Sequence, residues 1–94
     1  RAVRMEVASN LITPAKALIN LSSDKDWEVR WCVALNPKTT TKILAELSRD
    51  TNSLVREAVV LNKNTSYDVL VFLLEDVVGT IREKASDELE RRNK

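Results

Sequence analysis

The chain has 94 residues, 44% of them hydrophobic and 31% charged, with a formal net charge of +1 at pH 7. That length is read as one domain, residues 1–94, and the near-neutral balance argues against a general binder of nucleic acid or of anionic membranes. With no histidine, no metal-ligand cluster and no Gly-rich phosphate loop, enzyme chemistry lacks its usual groups, and no apolar run approaches the ~20 residues of a membrane-spanning helix.

Taken in chain order, hydrophobic periodicity predicts helices over 2–10, 14–22, 27–35, 40–49, 53–61 and 66–75, then a longer one over 79–92. The first opens on Val3-Arg4, and the pair returns as Val29-Arg30, Val55-Arg56 and Ile81-Arg82, a constant step of 26 residues. A period of that length marks stacked supersecondary units, here beginning at 3, 29, 55 and 81. In the first helix of each unit Val3, Val29 and Val55 stand four residues before Val7, Val33 and Val59, which puts both columns on one face. Asn10, Asn36 and Asn62 follow, and Asn can take the left-handed conformation that stops a helix; Pro37 helps to end one of them.

Thr13, Thr39 and Thr65 then suit the N-cap of the second helix, with Pro14 at the favoured first helical position. Leu18, Leu44 and Leu70, with Leu21, Leu47 and Leu73 three residues on, form the apolar stripe of that helix, joined by Ala17, Ile43 and Val69. Asp24, Asp50 and Asp76 close the second helix or cap the next. The last helix departs from the columns, with Ala85, Ser86 and Glu88 where Val, Ala and Asn are expected, and ends in Glu90-Arg91-Arg92-Asn93-Lys94. A polar outer face of this kind is what a terminal cap of a repeat array needs. At the other end Val3, Val7, Ala8 and Leu11 keep the interior pattern. Either more repeats precede them or this end docks against another chain, for example in a homodimer through residues 3–12.

The columns resemble the leucine-rich repeat variant family, a relative of the HEAT-type helical repeats. The residues that carry the resemblance are Asn36-Pro37-Lys38-Thr39, Leu44-Ala45-Glu46-Leu47, Asp50 and Val55-Arg56-Glu57-Ala58-Val59, and they recur over nearly the whole chain. The resemblance implies a right-handed α-α superhelix of about three 26-residue helical hairpins plus a C-terminal capping helix, in which one helix of each pair is short or 3₁₀. It also implies that an Asp and an Arg six residues apart link adjacent repeats, as in HEAT repeats. The iron–sulfur cluster associated with one family member is held by a cysteine-rich segment ahead of its repeats. Cys32 is the only cysteine here, so the four thiolates such a cluster uses are missing and no cofactor is expected.

The ladder of Arg4, Arg30, Arg56 and Arg82 with Asp24, Asp50 and Asp76 is read as scaffold, because a residue required in every repeat serves stacking better than it serves a unique ligand. Trp27 and Trp31 are the informative departures. Their columns otherwise hold Ser53 and Gly79, and Met5, Glu57 and Glu83, so the rings form either an exposed aromatic patch or an extension of the core. Trp27, Trp31, Arg30 and Glu57 are the expected contacts of a protein partner. Cys32, in a column with Glu6, Ala58 and Lys84, is expected to be partly accessible but without a role; as a lone thiol it fits a cytoplasmic location. Asn20-Leu21-Ser22 and Asn64-Thr65-Ser66 match glycosylation sequons, which occur often by chance. The leading expectation is a non-catalytic scaffold for protein–protein interaction. The alternatives are self-assembly through the N-terminal face and a nucleic-acid-binding HEAT-like module; Asp24, Asp26 and Glu28 beside the Trp pair weigh against phosphate.

Overall fold

Helix α1, Ala2–Ser9, stops at Asn10, and the way it stops sets the design of every later unit. In a computed structural model that describes all 94 residues, the chain forms seven helices and no strand. The others are α2 (Ala15–Leu21), α3 (Trp27–Leu35), α4 (Thr41–Leu47), α5 (Ser53–Leu61), α6 (Tyr67–Leu73) and α7 (Gly79–Arg92). These agree with the seven expected segments, except that α2, α4 and α6 are shorter at both ends. Their C-termini tighten into turns in which the amides of Asp24, Asp50 and Asp76 donate to the carbonyls of Leu21, Leu47 and Leu73.

Two local expectations are corrected. No residue of the chain has a positive φ, and Asn10, Asn36 and Asn62 are extended, with φ of −78°, −69° and −83°. Each Asn Oδ1 accepts the amide two residues on (Ile12, Lys38 and Asn64, at 3.0, 2.8 and 2.9 Å), and this side-chain turn replaces the left-handed residue. The Thr column does not cap the second helix either. The caps fall one residue later, at Pro14, Thr40 and Ser66, where the Thr40 and Ser66 hydroxyls accept the Ile43 and Val69 amides. Thr13, Thr39 and Thr65 instead donate Oγ1–H to the carbonyls of Val7, Val33 and Val59, at 2.5 to 2.6 Å, a second bond to acceptors that also take the Asn10, Asn36 and Asn62 amides.

Packing follows from the two apolar stripes. Leu18, Leu44, Leu70 and Leu73 of the second helices, and Val29, Val33, Val55 and Val59 of the first, are fully buried in one continuous core. The first helices pack in sequence, α1 on α3, α3 on α5 and α5 on α7, while α7 also lies along α6. Cys32 belongs to this core at 6% exposure, contrary to the expected accessibility. The column misleads because Glu6 and Lys84 sit in outer helices, whereas α3 is flanked on both sides. No helix is long and apolar enough to cross a membrane.

Candidate functional site

The charged ladder is built from the turns upward. At each unit boundary an Asp Oδ1 accepts the amide two residues on, from Asp26, Asn52 and Val78, and this holds the carboxylate at the entrance of the next helix. The Arg one turn into the preceding first helix then reaches it. Arg4 Nε meets Asp24 at 2.8 Å, Arg30 Nε meets Asp50 at 2.7 Å and Arg56 Nε meets Asp76 at 2.8 Å. Arg30 and Arg56 are bidentate, and their Nη1 groups also donate to the carbonyls of Asp24 and Asp50, both at 2.7 Å. Each of these guanidinium groups therefore ties two successive turns together. Arg82 keeps only the carbonyl half of the motif, donating to Asp76 O, and Arg4 uses its Nη2 on Asp26.

These contacts hold Asp24 and Asp76 below the usual carboxylate range. For Asp24 the Asp26 amide is the main cause, with Arg4 adding to it against the upward push of burial. For Asp76 burial is the largest single influence and pushes upward, but the Arg56 guanidinium, the Val78 amide and the Arg56 and Arg82 charges together outweigh it. Asp50 in turn holds Arg30 protonated above its ordinary range. A carboxylate lowered in the folded state stabilises the fold above its unfolded value of about 3.9, and that contribution is lost as pH falls through the folded value. The melting temperature is accordingly expected to be flat between about pH 5 and 7 and to drop steeply below about pH 4, with Asp76→Asn shallowing the drop. A thermal scan series that is flat down to about pH 2.5 would remove these carboxylates from the account.

A second ladder was not anticipated in the sequence. Asn36 Nδ2 donates to Ala8 O at 2.8 Å and Asn10 O at 3.0 Å, and one unit later Asn62 Nδ2 donates to Ala34 O and Asn36 O at 2.8 and 2.9 Å. Both side chains are buried, so one amide closes its own turn with its oxygen and clamps the previous unit with its nitrogen. At position 88 the column changes to Glu88, which receives Arg92 Nε at 2.8 Å. Arg92 then donates to Thr65 O and to Asn62 O, the second of which is one of the two carbonyls that an Asn at position 88 would take. The Asn64 amide likewise donates to Pro37 O and Thr39 O. The fixed spacing of the Asn column is the sequence signal for it, and stopping a helix accounts for only half of what the side chain does.

The aromatic residues lie elsewhere. Trp27, Trp31 and Leu35, spaced four apart on α3, face Leu54, Glu57 and Leu61 of α5 across a groove of about 300 Å³. Met5 of α1 reaches its other side, and a wider, more open depression of about 740 Å³ continues between α1 and α3, sharing Met5 and Trp31. The Trp rings are half-buried and packed against the core, so both sequence readings of the pair hold in part. Leu35, Leu54 and Leu61 are 37%, 47% and 59% exposed. Carboxylates flank the groove, Glu28 paired with Arg1 at 3.0 Å and Glu57 with Lys84 at 3.3 Å.

Of the four expected contacts, Trp27, Trp31 and Glu57 come together in this groove and Arg30 does not. All three nitrogens of the Arg30 head are bonded to Asp50 and Asp24, which places it in the ladder. The three leucines were missed, although Leu35 and Leu61 share a column with Ser9 and Asp87 and meet the criterion that singled out Trp31. No group of three or more His, Cys, Asp or Glu side chains is arranged to hold a metal ion, and every buried side-chain polar atom has a hydrogen-bond partner. The fold and the groove define an all-helical protein with an apolar cleft between two successive first helices. Comparison with models of known protein families, with curated proteins and with solved structures gives no match to this chain.

Proposed function

We propose that this protein is a non-catalytic helical-repeat scaffold of the right-handed α-α superhelix type, related in design to the leucine-rich repeat variant proteins, and that it binds a protein segment in the α3–α5 groove. The observation that carries the binding reading is the groove itself: two Trp rings and three partly exposed leucines on a surface whose neighbouring columns are polar. What supports the repeat design is that the Asn and Arg bonds recur one unit apart with the same partners and nearly the same lengths. Half-buried Trp beside apolar residues is the composition that concentrates binding energy at protein interfaces. The flanking Glu28 and Glu57 favour a segment that presents an apolar anchor with a basic residue beside it, and they oppose phosphate.

The chain's two tryptophans both line this groove, so their fluorescence reports on it and, through Trp31, on the adjoining α1–α3 depression. Peptides selected from a random display library are expected to shift that emission and to lose roughly 30-fold in affinity on Trp31→Ala, the equivalent of about 2 kcal/mol. Peptides that bind Trp31→Ala and the unaltered protein equally, with the variant folded by circular dichroism, would place binding on another surface.

A further inference from the structure

The joint between successive first helices has separable parts that can be compared along the chain. The later helix brings two donors and two aliphatic side chains. Asn36 Nδ2 reaches back to Ala8 O and Asn10 O, and Asn62 Nδ2 reaches back to Ala34 O and Asn36 O. Arg30, Arg56 and Arg82 reach back through Nη1 to the carbonyls of Asp24, Asp50 and Asp76. Val29, Val33, Val55 and Val59 are wholly buried. The earlier unit brings carbonyls and an apolar face, with Arg1 and Glu57 meeting Glu28 and Lys84 at the surface.

Helix α1 carries every part that a later helix brings, and within residues 1–94 these parts meet nothing. Asn10 forms the same turn as its counterparts, its Oδ1 accepting the Ile12 amide, yet its Nδ2 has no protein partner. Arg4 binds Asp24 and Asp26 through Nε and Nη2 while its Nη1 has none. Val3 and Val7 are 73% and 40% exposed where their counterparts in α3 and α5 are 0%. Two idle donors and two uncovered valines thus lie at the positions that form the joint elsewhere.

We propose that this face of α1 is a docking surface for one further helical repeat, stacked on α1 as α1 is stacked on α3. That repeat would offer the carbonyls of its first-helix end to Asn10 and the carbonyl of its closing Asp to Arg4. The internal joints decide against a second copy of this chain: in each of them the Asn donor meets the carbonyls of a first-helix end, whereas the corresponding carbonyls of α1, Ala8 O and Asn10 O, are already taken by Asn36. A head-to-tail copy would set Asn10 against the carbonyls of Ser86 and Glu88, which lie inside α7 and are taken by its own helical bonds. A helical repeat with open carbonyls is the occupant that the unpaired groups describe.

The test is an extended chain in which Arg1 and Ala2 are replaced by a second copy of residues 29–54, so that the copied Ala34 and Asn36 carbonyls fall opposite Asn10. The extended protein is expected to melt in one transition about 5 °C or more above the original. Asn10→Ala is expected to shift the original chain by no more than about 2 °C and the extended chain by at least about 5 °C. Equal responses of the two chains to Asn10→Ala, or an added repeat that melts separately, would overturn the proposal. A concentration-dependent dimer of the original chain by light scattering, dissociated by Val3→Glu with Val7→Glu, would also overturn it, because the occupant would then be a second copy.

Discussion

Asn62→Ala is expected to lower the unfolding free energy by about 3–5 kcal/mol, read as a fall in the urea midpoint at unchanged slope. The side chain is 5% exposed and donates to Ala34 O and Asn36 O while accepting the Asn64 amide. Truncation leaves these groups without their partner in a site that water reaches poorly, at about 1–3 kcal/mol for each that stays unsatisfied. A chain of this length has a total stability of roughly 5–14 kcal/mol, so the loss is a large fraction of it. Asn10→Ala, at an exposed position with only the Ile12 turn bond to lose, is expected to cost about 0.5 kcal/mol. Asn62→Asp separates the two jobs of the side chain, since it keeps the acceptor for Asn64 and turns a carboxylate oxygen toward two carbonyls. It should be at least as damaging as Asn62→Ala near neutral pH. A harmless Asn62→Asp would show that the turn, and not the clamp across units, is what the residue contributes.

Asp50→Ala is expected to cost about 3–5 kcal/mol, the range for removing one partner of a buried, hydrogen-bonded ion pair. The Arg30 and Asp50 side chains are 17% and 8% exposed. Without Asp50 the guanidinium keeps only its bond to Asp24 O, and the Asn52 amide loses its acceptor. The cost is that of stranding a desolvated charge, so replacing both members, Arg30→Met with Asp50→Leu, should recover part of it. Asp24→Ala is expected to cost less, because its partner Arg4 is 38% exposed and water can solvate what remains. If thermal denaturation gave less than about 0.5 kcal/mol for Asp50→Ala, the ladder would rank with ordinary surface pairs.

The two ladders divide the same joint between them. The Asn bonds clamp the C-terminal ends of successive first helices, and the Arg bonds clamp the turns that lead into their N-terminal ends. Val29, Val33, Val55 and Val59 fill the space between with no exposed surface. Polar groups at both edges and a dry centre allow one stacking offset, since a shift along the helix unpairs both ladders together. The groove of Trp27, Trp31, Leu35, Leu54 and Leu61 lies on the stack held in this way, so its walls are set by α3 and α5 standing at a fixed separation.

The helical segments and their order were legible in the sequence because the signals are local. An apolar residue every three or four positions and a turn residue between stripes act within one segment. The ladder Asp and Arg columns were legible because they recur with the 26-residue period, although the spacing of six joins each Arg only to an Asp backbone carbonyl and the carboxylate pairs span 20 residues. The buried Asn clamp was not, because its partners are 26 and 28 residues away and which carbonyls meet Nδ2 depends on the stacking offset alone. The displacement of the helix caps from Thr13, Thr39 and Thr65 has the same origin. Each hydroxyl has two possible carbonyl or amide partners nearby, and the path set by the Asn turn brings the helix-end carbonyl nearer. Arg30 shows the limit most plainly. Its position between Trp27 and Trp31 on one helix suggested the groove, but a long flexible side chain goes where its hydrogen bonds are, and only the packed turns put the Asp50 carboxylate and the Asp24 carbonyl within its reach. Sequence periodicity thus determined which segments become helices and which columns are apolar; the fixed distance between stacked helices decided which polar atoms pair, which Trp surface stays open, and that Cys32 lies inside.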